Sequence, residues 1–242
     1  MKAEFLTVGD SAVSIQLGSE ISLEINRLVR MLYKDIETNP IDGVVEMVPT
    51  YASLMVHYRA ETIEYKKLIS IIEERINDMN QDVEEKHIVK EIPICYGKDL
   101  GPDLELCASI EGISEDEIIR KHSEHIYYAY MLGFAPGHAY MSRFEEPFSF
   151  KRRESPRIKI AAGSIVAMES LSNFIPFEQP CGWNILGGTP LKVCDYKRED
   201  PFIVHAGEYV KFTPVSIKDY ERIRELDLND RYIINTFEKA VD

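Results

Sequence analysis

The sequence predicts an α+β protein in two parts: a small split βαβ-like N-terminal domain over residues 1–85 and a β-barrel domain over residues 86–242. Three observations predict it. In the first third, segments apolar at every second position alternate with segments apolar every third and fourth, as strands alternating with amphipathic helices do. Beyond Ala129, short β-branched and apolar segments alternate with Gly/Pro turns, the texture of a closed or partly closed barrel. Between them "NQDVEEKHIVK" (Asn80–Lys90) is polar and charged and reads as a linker or domain edge.

"SAVSIQL" (Ser11–Leu17) alternates as a half-buried strand. A helix follows from about Ser22, with Leu23, Ile25, Leu28, Val29, Leu32 and Ile36 along its apolar face. "NPIDG" (Asn39–Gly43) is a loop, and "VVEMVPTYASLMVHY" gives two strands broken near Pro49. "TIEYKKLISIIEERINDM" is a second amphipathic helix. Strand, helix, strand, strand, helix is the order of a split βαβ sandwich.

The second part opens on the strand "KEIPICY", a turn at Gly97–Pro102 and a short helix. "ISEDEIIRKHSEHIYYAY" is a further helix. Ser114 and Glu117 have capping-box spacing, and Glu115, Asp116 and Glu117 suit a positive helix N-terminus. The barrel strands come from "RIKIAAGSIVAM", "FIPFEQPCGWNILGGTPLKVCD" and "FIVHAGEYVKFTPV"; the tail "IKDYERIRELDLNDRYIINTF" is helical.

Twenty-eight basic against 41 acidic residues give a net charge of −13. Such a surface repels nucleic acid and anionic lipid. Apolar runs are too short for membrane insertion, and the N-terminus lacks a signal peptide's apolar segment, so a cytoplasmic location is expected. The one strong basic cluster is "KRRESPRIK" (Lys151–Lys159). Cysteines at 95, 107, 181 and 194 form no Cys-x-x-Cys and read as reduced, mostly buried thiols, with Cys181 in a turn among glycine and proline.

No phosphate loop, dinucleotide fingerprint, metalloprotease helix, EF-hand or Gly-x-Ser-x-Gly elbow occurs. No metal site is expected, because His122 and His125, three apart on the predicted helix, lack a third ligand in sequence. What remains is distributed. In "MLGFAPGHAYM" (Met131–Met141), Gly133, Pro136 and Gly137 let backbone approach a ligand, Phe134 and Tyr140 supply aromatic wall, and His138 donates, accepts or titrates. Arg157 offers a fork for a carboxylate or phosphate. Gly163 and Ser164 offer backbone N–H groups and a hydroxyl. Trp183 is the only tryptophan. Each residue taken alone reads first as a barrel turn or core residue; together they suggest a pocket. No catalytic residue is identified.

"CYGKDLGPDLELCASIEGISEDEIIRKHS", "MLGFAPGHAYM", "RRESPRIKIAAGSIV" and "PCGWNILGGTPLKVCD", with "VGDSAVSIQLGSEIS" and "PTYASLMVHY" upstream, together resemble the family of the 5-oxoprolinase subunit designated B, the kinase inhibitor KipI and allophanate hydrolase subunit 1. The resemblance runs from about Val8 to Pro214. It implies a cyclophilin-like barrel for the C-terminal domain and adds Thr189 to a substrate-binding set of Phe134, Pro136, Gly137, His138, Arg157, Gly163, Ser164 and Trp183. This sequence departs from the family pattern at His138, where phenylalanine is usual, at Ala161 (proline), Cys181 (glycine) and Gly188 (arginine), and in "SLSNFIPF" (Ser170–Phe177).

The resemblance implies a subunit without activity of its own in an ATP-dependent 5-oxoprolinase, or a related amide-hydrolysing complex, with ATP used in the assembly and none bound by this chain alone. The implied partners are a second cyclophilin-like subunit and a third hydrolase subunit. The alternatives are an inhibitor that binds a sensor histidine kinase, an allophanate hydrolase or urea carboxylase-related subunit, and a binding module without chemistry.

Overall fold

The structure, a computed structural model, describes residues 3–79, 87–144 and 146–239. The chain divides into two compact units, Met1–Glu85 and Lys86–Asp242.

In the first unit, β1 (Glu4–Val8) and β2 (Ala12–Gln16) form a hairpin. Then follow α1 (Leu23–Thr38), β3 (Val44–Pro49), β4 (Ser53–Tyr58) and α2 (Tyr65–Asp78). The sheet order is β1-β2-β4-β3, every neighbouring pair antiparallel. Helix α1 thus connects β2 to β3 with β4 inserted between them, the split βαβ arrangement. Ile15, Leu32, Leu54, Leu68 and Ile72 meet in one core without solvent exposure. Strand β1 has no counterpart in the sequence reading, because "EFLTV" is mostly exposed and buries no alternating face. On α1 the apolar stripe is displaced: Leu23 is exposed, while Asn26 is fully buried. Its amide donates to the carbonyls of Thr50 (3.0 Å) and Tyr51 (3.3 Å), which meets the cost of burying it.

The second unit opens on β5 (Ile88–Tyr96), a 3₁₀ turn at Lys98–Leu100, α3 (Leu104–Glu111) and α4 (Glu115–Glu124). Next come β6 (Ile126–Leu132), β7 (Ala139–Met141), β8 (Arg157–Ile160), β9 (Ser164–Met168) and β10 (Leu171–Phe174). The remainder is β11 (Gln179–Cys181), β12 (Asn184–Gly188), β13 (Tyr209–Pro214), α5 (Ile217–Leu228) and β14 (Thr236–Glu238). The main sheet runs β10-β9-β12-β5-β13-β6-β7, with β14 also on β5; β8 and β11 pair separately. The sheet curls into a nearly closed barrel. Its two ends meet through Phe144 N–H to Ser170 O (2.9 Å) and through the Asn173 side chain, whose Nδ2 donates to Ala139 O at 2.6 Å. Tyr127, Phe150, Phe174 and Phe212 are the largest wholly buried side chains of the barrel core. The molecule is therefore α+β.

Three element readings are corrected. The helix expected through Ala129 ends at Glu124, because Ile126–Leu132 joins β13 and buries Tyr127 completely. Aromatic and β-branched residues at Ile126, Tyr127 and Tyr128 favour that strand. His125 is therefore the helix C-cap. His205, expected in a strand, lies in a loop whose isolated β-bridge joins Cys194 to Phe202, and its backbone N–H donates to the Glu208 carboxylate at 2.8 Å. The helical tail stops at Leu228, and Thr236–Glu238 returns as a strand on β5. Of the expected linker, residues 80–86 lie outside the described residues, while Ile88–Lys90 belong to β5. The Ser114 cap is present: its hydroxyl accepts from Glu117 N–H at 3.2 Å. Among the described residues no helix is long and apolar enough to cross a membrane.

Candidate functional site

The second unit carries an open cleft of about 730 Å³. Its floor is the turn before β9, its far wall is the end of β12 with the loop that follows, and its rim is α5. Four of the residues singled out from sequence line it: Arg157, Gly163, Ser164 and Thr189. So does Gly188, where a Cβ would stand 3.3 Å from Leu100 Cδ2.

Gly163 has φ +81°, and a Cβ there would come within 2.9 Å of Thr189 O. Only glycine fits this turn without strain. The backbone donors here are already spent. Gly163 N–H donates to Ile175 O (2.7 Å), Ser164 N–H to Ala161 O (3.3 Å) and Thr189 N–H to Gly163 O (2.8 Å). The N–H groups that the sequence suggested for an anion therefore hold the turn together. The hydroxyls of Ser164 and Thr189, on buried residues lining the cleft, remain as donors for a ligand, although Thr189 Oγ1 already accepts from Leu191 N–H at 3.3 Å.

Arg157 is likewise engaged. Its fork donates to both oxygens of Asp103, Nη1 to Oδ2 and Nη2 to Oδ1, each at 2.8 Å. Arg153 Nη1 donates to Oδ1 and Ile185 N–H to Oδ2, again at 2.8 Å. Asp103 is 3% exposed. Two guanidiniums on one buried carboxylate leave the triad with a net charge of +1 beside the cleft. Sequence reading missed Asp103; the available signal was its place after Pro102 at the start of α3, a helix N-terminus where a carboxylate is favoured. A second buried carboxylate, Asp227 on α5, accepts from Lys192 N–H (2.9 Å) and Arg198 Nη2 (2.9 Å). The charged residues lining the cleft are Arg157, Lys159, Lys192 and Arg224 against Asp99 and Asp227, a net of +2 in a chain of −13.

The other residues from the sequence reading stand elsewhere. Trp183 packs half-buried against Ile160, Val166, Ile175 and Ile185, and its backbone N–H donates to Cys181 Sγ at 3.3 Å. Phe134, Pro136, Gly137 and His138 form the β6–β7 hairpin. Phe134 is 79% exposed with φ +66°. His138 lies beneath it, ring centroids 5.5 Å apart, and Tyr140 flanks His138 at the same distance. Burial lowers the His138 pKa below the ordinary imidazole value, so the ring is neutral at neutral pH. The structure thus separates a cleft group from a hairpin group. Among the described residues no cluster of three or more His, Cys, Asp or Glu side chains is placed to hold a metal ion.

Comparison with known proteins bears on both groups. Residues 3–204 match the family described as carboxyltransferase domain, subdomain C and D. The chain belongs to this family. The Bacillus subtilis protein named as the 5-oxoprolinase subunit designated B is 36% identical over 229 residues, covering 90% of this chain and 95% of that protein. Among solved structures, TTHA0988 superimposes on 85% of this chain with a TM-score of 0.73 and 27% identity; this chain spans 40% of TTHA0988. The Kluyveromyces lactis urea amidolyase is 16% identical with a TM-score of 0.72 over 98% of this chain, spanning 16% of that enzyme, and shares the fold. The same fold therefore occurs in chains of this length and as a segment of much longer ones.

Proposed function

We propose that the chain is a non-autonomous subunit of a 5-oxoprolinase, opening 5-oxoproline to glutamate with ATP in a complex with a second barrel subunit and a third hydrolase subunit. The observation that carries this reading is the end-to-end likeness to the B. subtilis protein, which leaves little of either chain unmatched. The net-positive cleft supports it, since 5-oxoproline carries one carboxylate. In this reading the Asp103–Arg153–Arg157 triad supplies a fixed positive field at one wall. Arg224 supplies charge at the rim, where Lys192 is already paired with Asp195 at 2.7 Å, and the Ser164 and Thr189 hydroxyls make the direct contacts.

ATP does not fit the residues of this cleft. A triphosphate is ordinarily cradled by backbone N–H groups, and those of Gly163, Ser164 and Thr189 are bonded to carbonyls. Phosphoryl chemistry is accordingly assigned to a partner subunit. A cytoplasmic location completes the reading, in keeping with free thiols at all four cysteines.

The test is conversion of 5-oxoproline to glutamate, with and without ATP, by the purified chain alone and by the chain co-expressed with partner subunits. We expect no turnover alone and ATP-dependent turnover in the complex. Turnover by the isolated chain would refute the non-autonomous role. A complex that is inactive with this chain, yet active when the B. subtilis protein replaces it, would refute the activity.

A further inference from the structure

The hairpin group has chemistry that the cleft does not use. Asn173 on β10 has a fixed amide orientation: its Oδ1 accepts from Phe174 N–H at 2.8 Å and its Nδ2 donates to Ala139 O at 2.6 Å. The same Nδ2 lies 2.9 Å from His138 Nε2. A donor on that side obliges Nε2 to accept, so the ring proton of the neutral imidazole sits on Nδ1. Nδ1 is shut off from solvent and has no hydrogen-bond partner among the described residues. A buried N–H without an acceptor is costly, and the cost disappears when an acceptor arrives.

Directly above stands Phe134. Its backbone is left-handed, a conformation unfavourable for a bulky residue, and its ring projects into solvent. A ring so placed does not line a cavity; it has the form of an anchor for another surface. From Met131 to Met141 the chain has no Lys, Arg, Asp or Glu, although the whole carries −13. The hairpin's charge therefore matches an uncharged stretch of polypeptide and offers no counter-charge to a free acid. Strand β7, which it leads into, is the last on the sheet path, at the barrel seam.

We propose that the 133–138 hairpin grips a backbone segment of a partner subunit: the exposed Phe134 ring turns onto that segment, and His138 Nδ1–H, uncovered by that turn, donates to one of its main-chain carbonyls. This rests on the reading of the chain as a subunit. It gives the hairpin a role in assembly, distinct from substrate binding in the cleft.

The experiment uses the full chain co-expressed with the partner subunits of its own 5-oxoprolinase complex. Affinity is measured for wild type, Phe134→Ala, Phe134→Gly, His138→Phe and the cleft variant Arg224→Ala. Phe134→Ala and His138→Phe are expected to weaken assembly by about tenfold or more, on the order of one lost anchor or buried hydrogen bond. Arg224→Ala should assemble as wild type. Phe134→Gly relieves the left-handed backbone, so it should raise the melting temperature of the free chain and still weaken assembly, a combination that a structural role for Phe134 does not produce. In ¹⁵N-histidine spectra the free chain should show His138 protonated on Nδ1, with that proton moving downfield on assembly. Wild-type affinity in both Phe134→Ala and His138→Phe would overturn the hairpin and leave the subunit reading standing. A downfield shift on adding 5-oxoproline alone would overturn it in favour of a small-molecule site. If the wild-type chain assembles with no partner, the subunit reading fails and this inference falls with it.

Discussion

Acid should unfold the barrel unit through one histidine. His122, on α4, is fully buried and stacks on Phe212, centroids 4.9 Å apart and planes 7° from parallel. Its Nδ1 is 2.7 Å from the Tyr96 hydroxyl and its Nε2 2.7 Å from the Ser172 hydroxyl. These two hydroxyls satisfy the neutral ring. Burial, and secondarily the nearby His125, push its pKa down from 6.5 to about 3. The folded pKa is the depressed one, so the unfolded chain takes up the proton first. Stability from this group is intact above about pH 6.5 and is lost as pH falls toward 3. The slope approaches about 1.4 kcal/mol per pH unit once the unfolded histidine is protonated, so moving from about pH 6.5 to about 4.5 removes roughly 2 kcal/mol. The assay is urea unfolding followed by fluorescence of Trp183, the sole tryptophan, which lies in the same unit as His122. His122→Gln keeps a donor and an acceptor but does not titrate. Its stability should fall less steeply than wild type between about pH 6 and about 4.5, by about 1.4 kcal/mol per unit. Background carboxylates cancel in the difference. Parallel curves would show that His122 is not held neutral by burial.

Three further outcomes follow from the cleft. Asp103→Ala leaves Arg153 and Arg157 without their shared carboxylate and should cost about 3 kcal/mol or more in the same unfolding assay. Gly163→Ala forces a Cβ toward Thr189 O at positive φ, so a loss of about 1–3 kcal/mol is expected from thermal unfolding. Arg224→Ala removes an exposed rim charge. Its stability should stay within about 0.5 kcal/mol of wild type, while calorimetry on the assembled complex should show weaker 5-oxoproline binding that depends less on salt.

Much of this was legible in the chain because it depends on neighbours in sequence. Period-two and helical apolar spacing located the split βαβ unit, and Gly/Pro punctuation located the short barrel strands. Ser114, three residues before Glu117, marked the start of α4. Hydrogen-bonded caps and turns span three or four residues, so one dimension records them. The motif resemblance pointed to the family that whole-chain comparison then showed.

What tertiary structure decided depends on groups far apart in sequence. Arg157 looks like a free fork until Asp103, 54 positions away, occupies it. Leu23 and Asn26 exchange roles on α1 because the carbonyls of Thr50 and Tyr51 arrive where Asn26 can meet them. The segment from Ile126 becomes a strand because β13 offers a ladder and a core for Tyr127. One pocket suggested by the proximity of motifs along the chain becomes a cleft and a separate hairpin. A sequence states which groups could donate, accept or carry charge. Which of them are already satisfied, and which remain for a ligand or a partner, is settled only when the fold brings their counterparts within about 3 Å.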